Sequence, residues 1–237
     1  MSKKPKISVV IPAYNEEKYI RHLFSGLSTQ TMKDFEMILV DSNSSDKTRE
    51  IARKYGKVVI EPRRGIGLAR NTGVRHAKGE IIFFTNADTK PTKNLLKIYA
   101  DAFAKNPKLV AATGPMIPLE ETTRFIRFGY KFASVYLAKF IFAIGAPGIS
   151  GSNFAVRRFA FEKARGFDES LETYEDMDLV NRLKKLGTIE YINNAVTATS
   201  TRRIVKWGVL KYIAFNASNV LKYNMLHKSK GNYDPVR

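Results

Sequence analysis

The sequence contains no cysteine in its 237 residues. A disulfide-stabilised scaffold, a thiolate metal site and a cysteine nucleophile are therefore excluded. It also lacks a run of roughly 18 consecutive apolar residues, the length that a membrane-spanning helix needs, and its longest candidate, 132–149, is interrupted by Lys139. The apolar stretch before Pro12 is about six residues long, which is too short for a signal peptide. We therefore expect a protein that is soluble or bound peripherally to a membrane.

Negative charge is scarce relative to positive charge, and the net charge is +18. Two segments, 122–165 and 201–237, each contain eight Lys or Arg and one acidic residue, so they hold most of the excess. Basic segments rich in aromatic residues indicate an anionic partner such as a nucleotide diphosphate or phospholipid head groups. A solvated, lysine-rich surface is the alternative interpretation. Zinc-finger, RNP-like and basic-zipper patterns are absent, so we expect no nucleic-acid partner.

Short apolar runs alternate with helical patterns over the first 115 residues. The predicted strands are 7–12, 36–41, 57–61, 80–88 and 109–113. Continuous apolar strands separated by helices are typical of a parallel sheet that is covered on both faces. The pattern therefore predicts an α/β fold with a doubly wound, mostly parallel sheet. Ligands of such sheets bind beyond the carboxyl ends of the strands, so the residues that follow each strand are the candidate site.

Two amphipathic helices are predicted outside this alternation, at 122–144 and 204–226. The first has a basic face, with an aromatic and aliphatic set lying away from it: Arg124, Arg127 and Lys131 against Phe125, Phe128, Phe132, Val135 and Tyr136. A basic amphipathic helix is typical of a segment that binds a membrane surface. The alternative is that the apolar stripe packs into the core of the domain.

Carboxylates follow two of the predicted strands. Asp41 closes the second strand, and Asp88 ends the sequence Asn86-Ala87-Asp88 after the fourth. Oxygen ligands spaced by one residue suit a Mg²⁺ or Mn²⁺ ion that also binds a diphosphate. The alternative is that each aspartate caps the helix that follows it.

A third group of acids lies at 175–178, where Glu175, Asp176 and Asp178 are close in sequence. Neighbouring carboxylates raise one another's pKa, which suits a general base. Acidic residues at the start of a helix also stabilise its dipole, and the residues alone leave these two interpretations open.

Several motifs, taken in order, resemble a known family. They are PAYNEEKYI, VDSNSSDKT, GLARNTGVRHAKGEIIFFTNADT, GSNFAVRR, and GFDE with YEDMDLVNRLKKLG. The set resembles the inverting family 2 glycosyltransferases of the GT-A fold and covers roughly residues 5–190. The resemblance implies a Rossmann-like GT-A catalytic domain at 1–200, with a nucleotide-sugar half at 1–115 and an acceptor half at 116–200. Residues 201–237 would form a basic amphipathic C-terminal helix and tail.

The resemblance also implies roles for individual residues. Asp176, with Glu175 beside it, matches the general base, and Asp88 matches the carboxylate that binds Mg²⁺ or Mn²⁺. The implied nucleotide-sugar pocket consists of Pro12, Ala13, Tyr14, Glu16, Asp41, Arg70, Asn86, Ala87, Arg202 and Arg203. The family's metal motif usually begins with Asp, and Asn86 stands in that place here. An uncharged amide is expected to lower metal affinity, with the two arginines sharing the neutralisation of the diphosphate.

The resemblance implies a metal-dependent, inverting sugar transfer from a UDP- or GDP-sugar. The aromatic and basic segments favour a hydroxyl or phosphate of a lipid-linked acceptor, reached at the cytoplasmic face of an anionic membrane where the protein is peripheral. Two alternatives stay open. One is transfer to a soluble glycan or protein acceptor, and the other is an inactive sugar-nucleotide-binding homologue, which Asn86 would favour.

Overall fold

The computed structural model describes residues 4–143 and 150–226 of the chain. It contains ten strands: β1 (Ile7–Ala13), β2 (Phe35–Asp41), β3 (Lys57–Ile60), β4 (Ile81–Phe84), β5 (Thr89–Pro91), β6 (Leu109–Thr113), β7 (Met116–Pro118), β8 (Phe154–Arg157), β9 (Thr188–Tyr191) and β10 (Thr197–Thr199). Seven of them form one sheet in the order β3-β2-β1-β4-β8-β6-β9. Only β8 in this sheet runs antiparallel to both of its neighbours. The predicted mostly parallel sheet is confirmed.

Helices cover both faces of the sheet. They are α1 (Ile20–Ser28), α2 (Thr48–Ala52), α3 (Ile66–His76), α4 (Leu95–Lys105), α5 (Arg124–Lys131), α6 (Ala138–Ala143), α7 (Arg158–Lys163), α8 (Glu175–Leu183), α9 (Arg202–Trp207) and α10 (Val209–Leu226), with a π-helical segment, Phe132–Leu137, between α5 and α6. Alternate residues of β1 enter opposite cores: Val9 packs with α1 and α4, whereas Val10 packs with α3, α7 and α8. Because both faces are buried, the strand is apolar throughout.

A second, three-stranded sheet has the order β5-β10-β7. Its strand β10 runs antiparallel to β5 and parallel to β7. The sheet brings the chain near residue 200 back to the end of β4, because the Ser200 backbone N–H donates to the Asp88 carbonyl oxygen at 3.0 Å. Residues more than 100 positions apart in the sequence therefore meet at one edge of the main sheet.

Three predicted boundaries need correction. The strand predicted at 80–88 ends at Phe84, because the chain turns there to form the site loop before β5. The helix predicted at 204–226 is two helices, since Gly208 has a positive φ of 81° and interrupts the hydrogen-bond ladder between α9 and α10. The helix predicted at 122–144 is present as α5, the π-helical segment and α6, and residue 144 and the polar tail from Lys228 lie outside the described residues.

The aromatic face of the first amphipathic segment does not pack into the core. Helix α5 buries none of its residues, and Phe125 and Phe128 are 70% and 68% exposed. The stripe continues through Phe132, Tyr136 and Phe140, which are all exposed. Within the two described ranges, no helix is both long and apolar enough to cross a membrane.

Candidate active site

The candidate site lies at the carboxyl ends of β1, β2 and β4, where the topology of a parallel sheet places ligands. Asp41, the last residue of β2, is fully buried. Its Oδ2 accepts from the Ser44 backbone N–H at 3.0 Å and lies 3.5 Å from Nε of Arg49. Its Oδ1 is buried and accepts no hydrogen bond from the described part of the chain. Since burying an unpaired carboxylate oxygen is costly, Asp41 is a candidate acceptor for an N–H of a ligand.

The loop after β1 is fixed against the loop after β2. Asn15 has a positive φ of 51°, which asparagine tolerates better than most residues. The backbone N–H groups of Asn15, Glu16 and Glu17 donate to the side chains of Ser44, Thr48 and Asp46, respectively. Both loops therefore form one rigid rim. In β1 itself, Pro12 and Ala13 pair with Val40 and Asp41, so their part in the site is to set the backbone path.

Tyr14 lies on the outer part of this rim. The guanidinium carbon of Arg64 is 4.0 Å from the centre of the Tyr14 ring, and the same side chain donates to the Tyr14 hydroxyl. No individual role was predicted for Arg64 from the sequence, although it lies four residues after the end of β3, within the segment 62–67 that follows the third strand. A flat aromatic ring with a cation over it is a suitable surface for a nucleotide base.

A guanidinium joins two carboxylates at the centre of the site. Arg202, at the start of α9, donates both Nη atoms to Glu16, at 2.8 and 2.6 Å. Its Nη2 is also 3.2 Å from Oδ2 of Asp88, and its guanidinium carbon is 4.4 Å from the Tyr19 ring centre. Burial raises the pKa of Asp88 to about 6, Arg202 acts to lower it, and the charge of Glu16 acts to raise it further. Arg202 therefore neutralises part of the negative charge of two partly buried carboxylates.

A second charged group lies beside the first. Arg70 is 1% exposed and donates through Nη1 to Glu175 at 2.7 Å and through Nη2 to the Asn86 side-chain oxygen at 3.3 Å. The Asn86 amide nitrogen donates in turn to Ser152 Oγ at 2.8 Å. Gly151 leaves the space for this arrangement, because a Cβ there would lie 2.0 Å from Nη2 of Arg70. Arg70 thus links α3, the loop after β4 and α8.

At the start of α8, Glu175 is buried and Asp176 is partly buried next to this arginine. Asp176 accepts from the backbone N–H groups of Gly151 and Met177, at 3.2 and 2.9 Å. Burial raises the pKa of Asp176 above its usual value, and Arg70 opposes this. Burial and the neighbouring charge of Asp176 raise the pKa of Glu175 to about 7, again against Arg70. The pair can therefore accept one proton near neutral pH, as a general base requires.

The structure brings most of the predicted residues together but divides them into two groups. Glu16, Asp88 and Arg202 form one, and Arg70, Asn86, Glu175 and Asp176 form the other. The short loop 86–88 connects the groups. The Ala87 side chain points into the core, at 2% exposure. The Arg203 guanidinium lies 5.5 Å from the Trp207 ring centre, and its charge contributes to lowering the pKa of Asp88.

The site offers a divalent metal few protein ligands. Among the described residues, no cluster of three His, Cys, Asp or Glu side chains could hold a metal ion. The Asn86 side-chain oxygen already accepts a hydrogen bond from Arg70. Asp88 is therefore the residue of the 86–88 loop that can offer a carboxylate to a metal. Mg²⁺ is commonly bound by one or two carboxylates, with substrate phosphates and water completing its shell. Asp88 fits such a metal as its single ligand from this loop.

Comparison with known proteins identifies the family of the chain. The sequence model described as Glycosyl transferase family 2 matches residues 8–165. The chain is 26% identical to an Escherichia coli chondroitin synthase, covering 100% of this chain and 35% of that protein. It is 31% identical to a Bacillus subtilis protein described as the probable glycosyltransferase YdaM, covering 83% of this chain and 51% of that protein. The chain thus spans about a third of the length of the chondroitin synthase and about half of the length of YdaM.

Solved structures share the fold. Staphylococcus aureus TarS (1–349) in complex with UDP-GlcNAc has a TM-score of 0.67 at 22% identity, covering 92% of this chain and 67% of that one. A Pyrobaculum calidifontis mannosyltransferase in complex with GDP-Man and Mn²⁺ has a TM-score of 0.64 at 21% identity, covering 92% and 65%. These neighbours place the described chain in the GT-A fold.

Proposed function

The chain belongs to glycosyl transferase family 2, and from that premise we propose that it transfers a sugar, with inversion, from a nucleotide-diphosphate donor to a lipid-linked acceptor. The observation that carries the proposal is the pairing of two charged groups across the 86–88 loop. One group, Glu16, Asp88 and Arg202, would hold a diphosphate together with a divalent ion. The other, Glu175 and Asp176, has raised carboxyl pKa values that suit a base.

The donor is a UDP- or GDP-sugar. The unpaired Oδ1 of Asp41 accepts an N–H from the uracil or guanine edge, and the ring of Tyr14 with Arg64 over it flanks the base. Structural neighbours bound to UDP-GlcNAc and to GDP-Man support this class of donor. Arg202 and Arg203 lie next to Asp88 and supply positive charge for the diphosphate.

A divalent ion, Mg²⁺ or Mn²⁺, would be held by Asp88. When bound, it supplies positive charge that makes the nucleoside diphosphate a better leaving group. Arg202 is held between Glu16 and Asp88 and contributes charge of the same sign at the same place. The site therefore compensates for the uncharged Asn86 with an arginine.

Inversion needs one in-line displacement at the anomeric carbon. Asp176 takes the proton of the acceptor hydroxyl while the acceptor oxygen forms its bond to the anomeric carbon and the bond to the diphosphate breaks. Arg70 and the N–H of Gly151 hold the pair Glu175–Asp176 in place. A single displacement requires no covalent enzyme intermediate.

The acceptor is carried on a lipid, and the protein acts peripherally at the cytoplasmic face of a membrane. The support is the exposed aromatic stripe of Phe125, Phe128, Phe132, Tyr136 and Phe140. Arg124, Arg127 and Lys131 lie on the same helix, and anionic lipid attracts each such charge by about 1 kcal/mol. Aromatic rings at lipid head-group level and flanking cations are the usual features of a segment that lies in the interface.

A donor-turnover screen tests the proposal. Purified protein is incubated with UDP- and GDP-sugars in Mn²⁺, Mg²⁺ or chelator, with and without a membrane lipid extract, and free nucleoside diphosphate is quantified. We expect one donor to be turned over with metal and lipid extract, and both Asp88→Ala and Asp176→Ala to abolish turnover. Turnover with a soluble glycan alone would assign a soluble acceptor. Tight nucleotide binding with no turnover under any condition would assign an inactive homologue.

A further inference from the structure

Asp178, the third acid at the start of α8, takes no part in the proposed chemistry, yet both of its carboxylate oxygens accept hydrogen bonds. Oδ2 accepts from Nε of Arg182 at 3.0 Å, one turn further along α8. Oδ1 accepts from the hydroxyl of Tyr223 at 2.9 Å, and Tyr223 lies on α10. Asp178 therefore ties α10 to the first turns of the helix that begins with Glu175 and Asp176.

Helix α10 presents one defined face to the rest of the protein. Asn219 and Tyr223 are one turn apart on this helix, and they are 3% and 8% exposed. Residues four apart lie on the same side of a helix, whereas Lys222, on a neighbouring face, is exposed. Tyr223 is the part of the buried face that reaches α8.

The ring of Tyr223 also contacts the residue that precedes the two acids. The ring centres of Tyr174 and Tyr223 are 5.5 Å apart, with an angle of 40° between the ring planes. Tyr174 has a φ of 70° and a ψ of 8°, a left-handed conformation that is unusual for a bulky residue. Such a backbone persists only where its surroundings hold it, and residues of this kind are concentrated at functional sites. The Tyr223 ring is part of those surroundings.

The turn at Tyr174 sets the position from which α8 begins. The Tyr174 carbonyl oxygen accepts from the backbone N–H of Asp178 at 3.1 Å, and Glu175 and Asp176 are the first two residues of the helix. Burial raises the pKa of the Tyr174 hydroxyl, and the charge of Asp176 raises it further. Arg70 holds Glu175 from α3, so the two acids are fixed from α3 and, through Tyr174, from α10.

We propose that Tyr223 is a positioning residue for the sugar transfer, because it holds Tyr174 and Asp178 and, through them, keeps Glu175 and Asp176 in place to meet the acceptor hydroxyl. This inference rests on the proposed function, in which that pair supplies the base. It adds a part for α10, a helix that contributes no residue to either charged group of the site.

Tyr223→Leu and Tyr223→Phe test the inference. The first substitution removes the ring and the hydroxyl, whereas the second keeps the ring and removes the hydrogen bond to Asp178. Because a small displacement of a reacting group is costly, kcat should fall by about tenfold or more in Tyr223→Leu and by less in Tyr223→Phe. The Kd for UDP or GDP should stay within about twofold in both variants, since neither changes the rim around Asp41.

A titration of the Glu175 carboxyl provides a second measurement that does not need turnover. Its signal is followed by ¹³C NMR and assigned by its loss in Glu175→Gln. In the unmodified protein, burial and the charge of Asp176 raise the pKa of Glu175 to about 7, and Arg70 opposes this. Loosening the first turn of α8 admits water, so Tyr223→Leu should lower this pKa toward its usual value of 4.5.

The matched control is Tyr55→Leu, which removes a different aromatic contact. Tyr55 stacks on Phe24 with ring centres 4.3 Å apart, and it lies before β3, at the end of the sheet opposite to the site. Its substitution should lower the melting temperature and leave both kcat and the pKa of Glu175 unchanged.

The outcomes separate a positioning role from packing. If Tyr223→Leu lowered the melting temperature but kept kcat and the pKa of Glu175, as Tyr55→Leu is expected to do, the inference would be overturned. If Tyr223→Leu did not fold, Tyr223→Phe would decide, and kcat and pKa values equal to those of the unmodified protein would then overturn it. Absence of donor turnover in the unmodified protein would contradict the proposed function, while a lowered Glu175 pKa in Tyr223→Leu would still support the positioning of the acids by Tyr223.

Discussion

At the scale of single residues, Asp176 is the group on which the proposed chemistry depends most directly. Asp176→Asn preserves size and polarity but removes the basic oxygen, so kcat should fall by about 10² to 10⁴. Nucleotide affinity should not change, because Asp176 is bonded to Gly151 and Met177 and not to the Asp41 rim. Steady-state turnover and nucleotide titration measure the two effects.

The matched control for this substitution is Glu172→Gln, which changes an exposed acid on the loop before α8. It should leave both quantities unchanged. If Asp176→Asn kept most of its turnover while Glu172→Gln behaved as expected, the base would have to be another group, and Glu175 would be the next candidate.

The raised carboxyl pKa values at α8 predict a pH dependence. A base acts only when deprotonated, so kcat/KM should rise with pH and level off above the pKa of the pair. Burial raises the pKa of Asp176 above its usual value of 3.8 and that of Glu175 to about 7. We therefore expect kcat/KM to increase between weakly acidic and neutral pH. Measurement of kcat/KM from about pH 4.5 to 9 tests this expectation. A profile that is level over the whole acidic range would contradict it.

Asn86 is the residue at which the chain departs from the expected metal motif. Asn86→Asp should fold, because Arg70 can still donate to the oxygen at that position and the Ser152 hydroxyl can donate in place of accepting. A second carboxylate beside Asp88 should strengthen Mn²⁺ binding and lower the Mn²⁺ concentration for half-maximal turnover by about tenfold. Asn94→Asp is a matched change at the start of α4 and should leave the Mn²⁺ requirement unchanged. If Asn86→Asp also left it unchanged, the result would argue against a metal at Asp88.

At the scale of elements, the segment from α5 to α6 is an amphipathic unit whose aromatic face has no partner within the described chain. Phe128→Ser removes a ring that is 68% exposed, so the free energy of unfolding should hardly change. Binding to anionic vesicles should weaken by about tenfold or more, because a buried phenylalanine contributes roughly 1.5–3 kcal/mol. Vesicle co-sedimentation at low and high salt measures this change.

Phe159 supplies the control for that experiment. It is 55% exposed but lies on α7, away from the aromatic stripe, so Phe159→Ser should leave vesicle binding unchanged. Equal losses in both variants would mean that general surface hydrophobicity governs binding. No binding of the unmodified protein at low salt would remove the membrane part of the proposed function.

At the scale of the whole molecule, the sequence predicts the sheet well because burial on both faces forces continuous apolar strands. The apolar runs that contain Ile7, Ile38 and Ile81 are identifiable for that reason. Asp41 is then found at the end of β2, and Asp88 is found in the loop that follows β4. The break at Gly208 was missed, because a helical apolar pattern continues across it and only the positive φ reveals the turn.

The contacts that assemble the site are harder to predict, since they join distant parts of the chain. Nothing local to Arg202 indicates that it binds Glu16, 186 residues away, because the small β5-β10-β7 sheet positions it. Similarly, the sequence does not show that Arg70 is buried between Glu175 and Asn86. A role for Arg70 in direct nucleotide contact stays a prediction, and its observed bonds are those of a residue that positions the base.

Asn153 connects the two sheets and provides a test of how the whole site is supported. It is fully buried, and its amide nitrogen donates to the carbonyl oxygens of Pro115 and Ala195, which precede β7 and β10. Its side-chain oxygen accepts from the Tyr99 hydroxyl at 2.7 Å. Asn153→Ala removes three buried hydrogen bonds, although the Pro115 carbonyl oxygen keeps its bond from the Thr197 N–H, and should lower the free energy of unfolding by about 3–5 kcal/mol.

The comparison is Asn194→Ala at an exposed position before β10, which should change stability by less than about 0.5 kcal/mol. Because β10 carries the chain to Arg202, loosening it should also weaken nucleotide diphosphate binding before global unfolding. Urea unfolding and nucleotide titration of the same variant separate these effects. Asn153→Ala could instead be destabilised but bind nucleotide normally in the absence of urea. The strand pairing of the small sheet would then be sufficient to hold Arg202 next to Glu16 and Asp88 without the Asn153 hydrogen bonds.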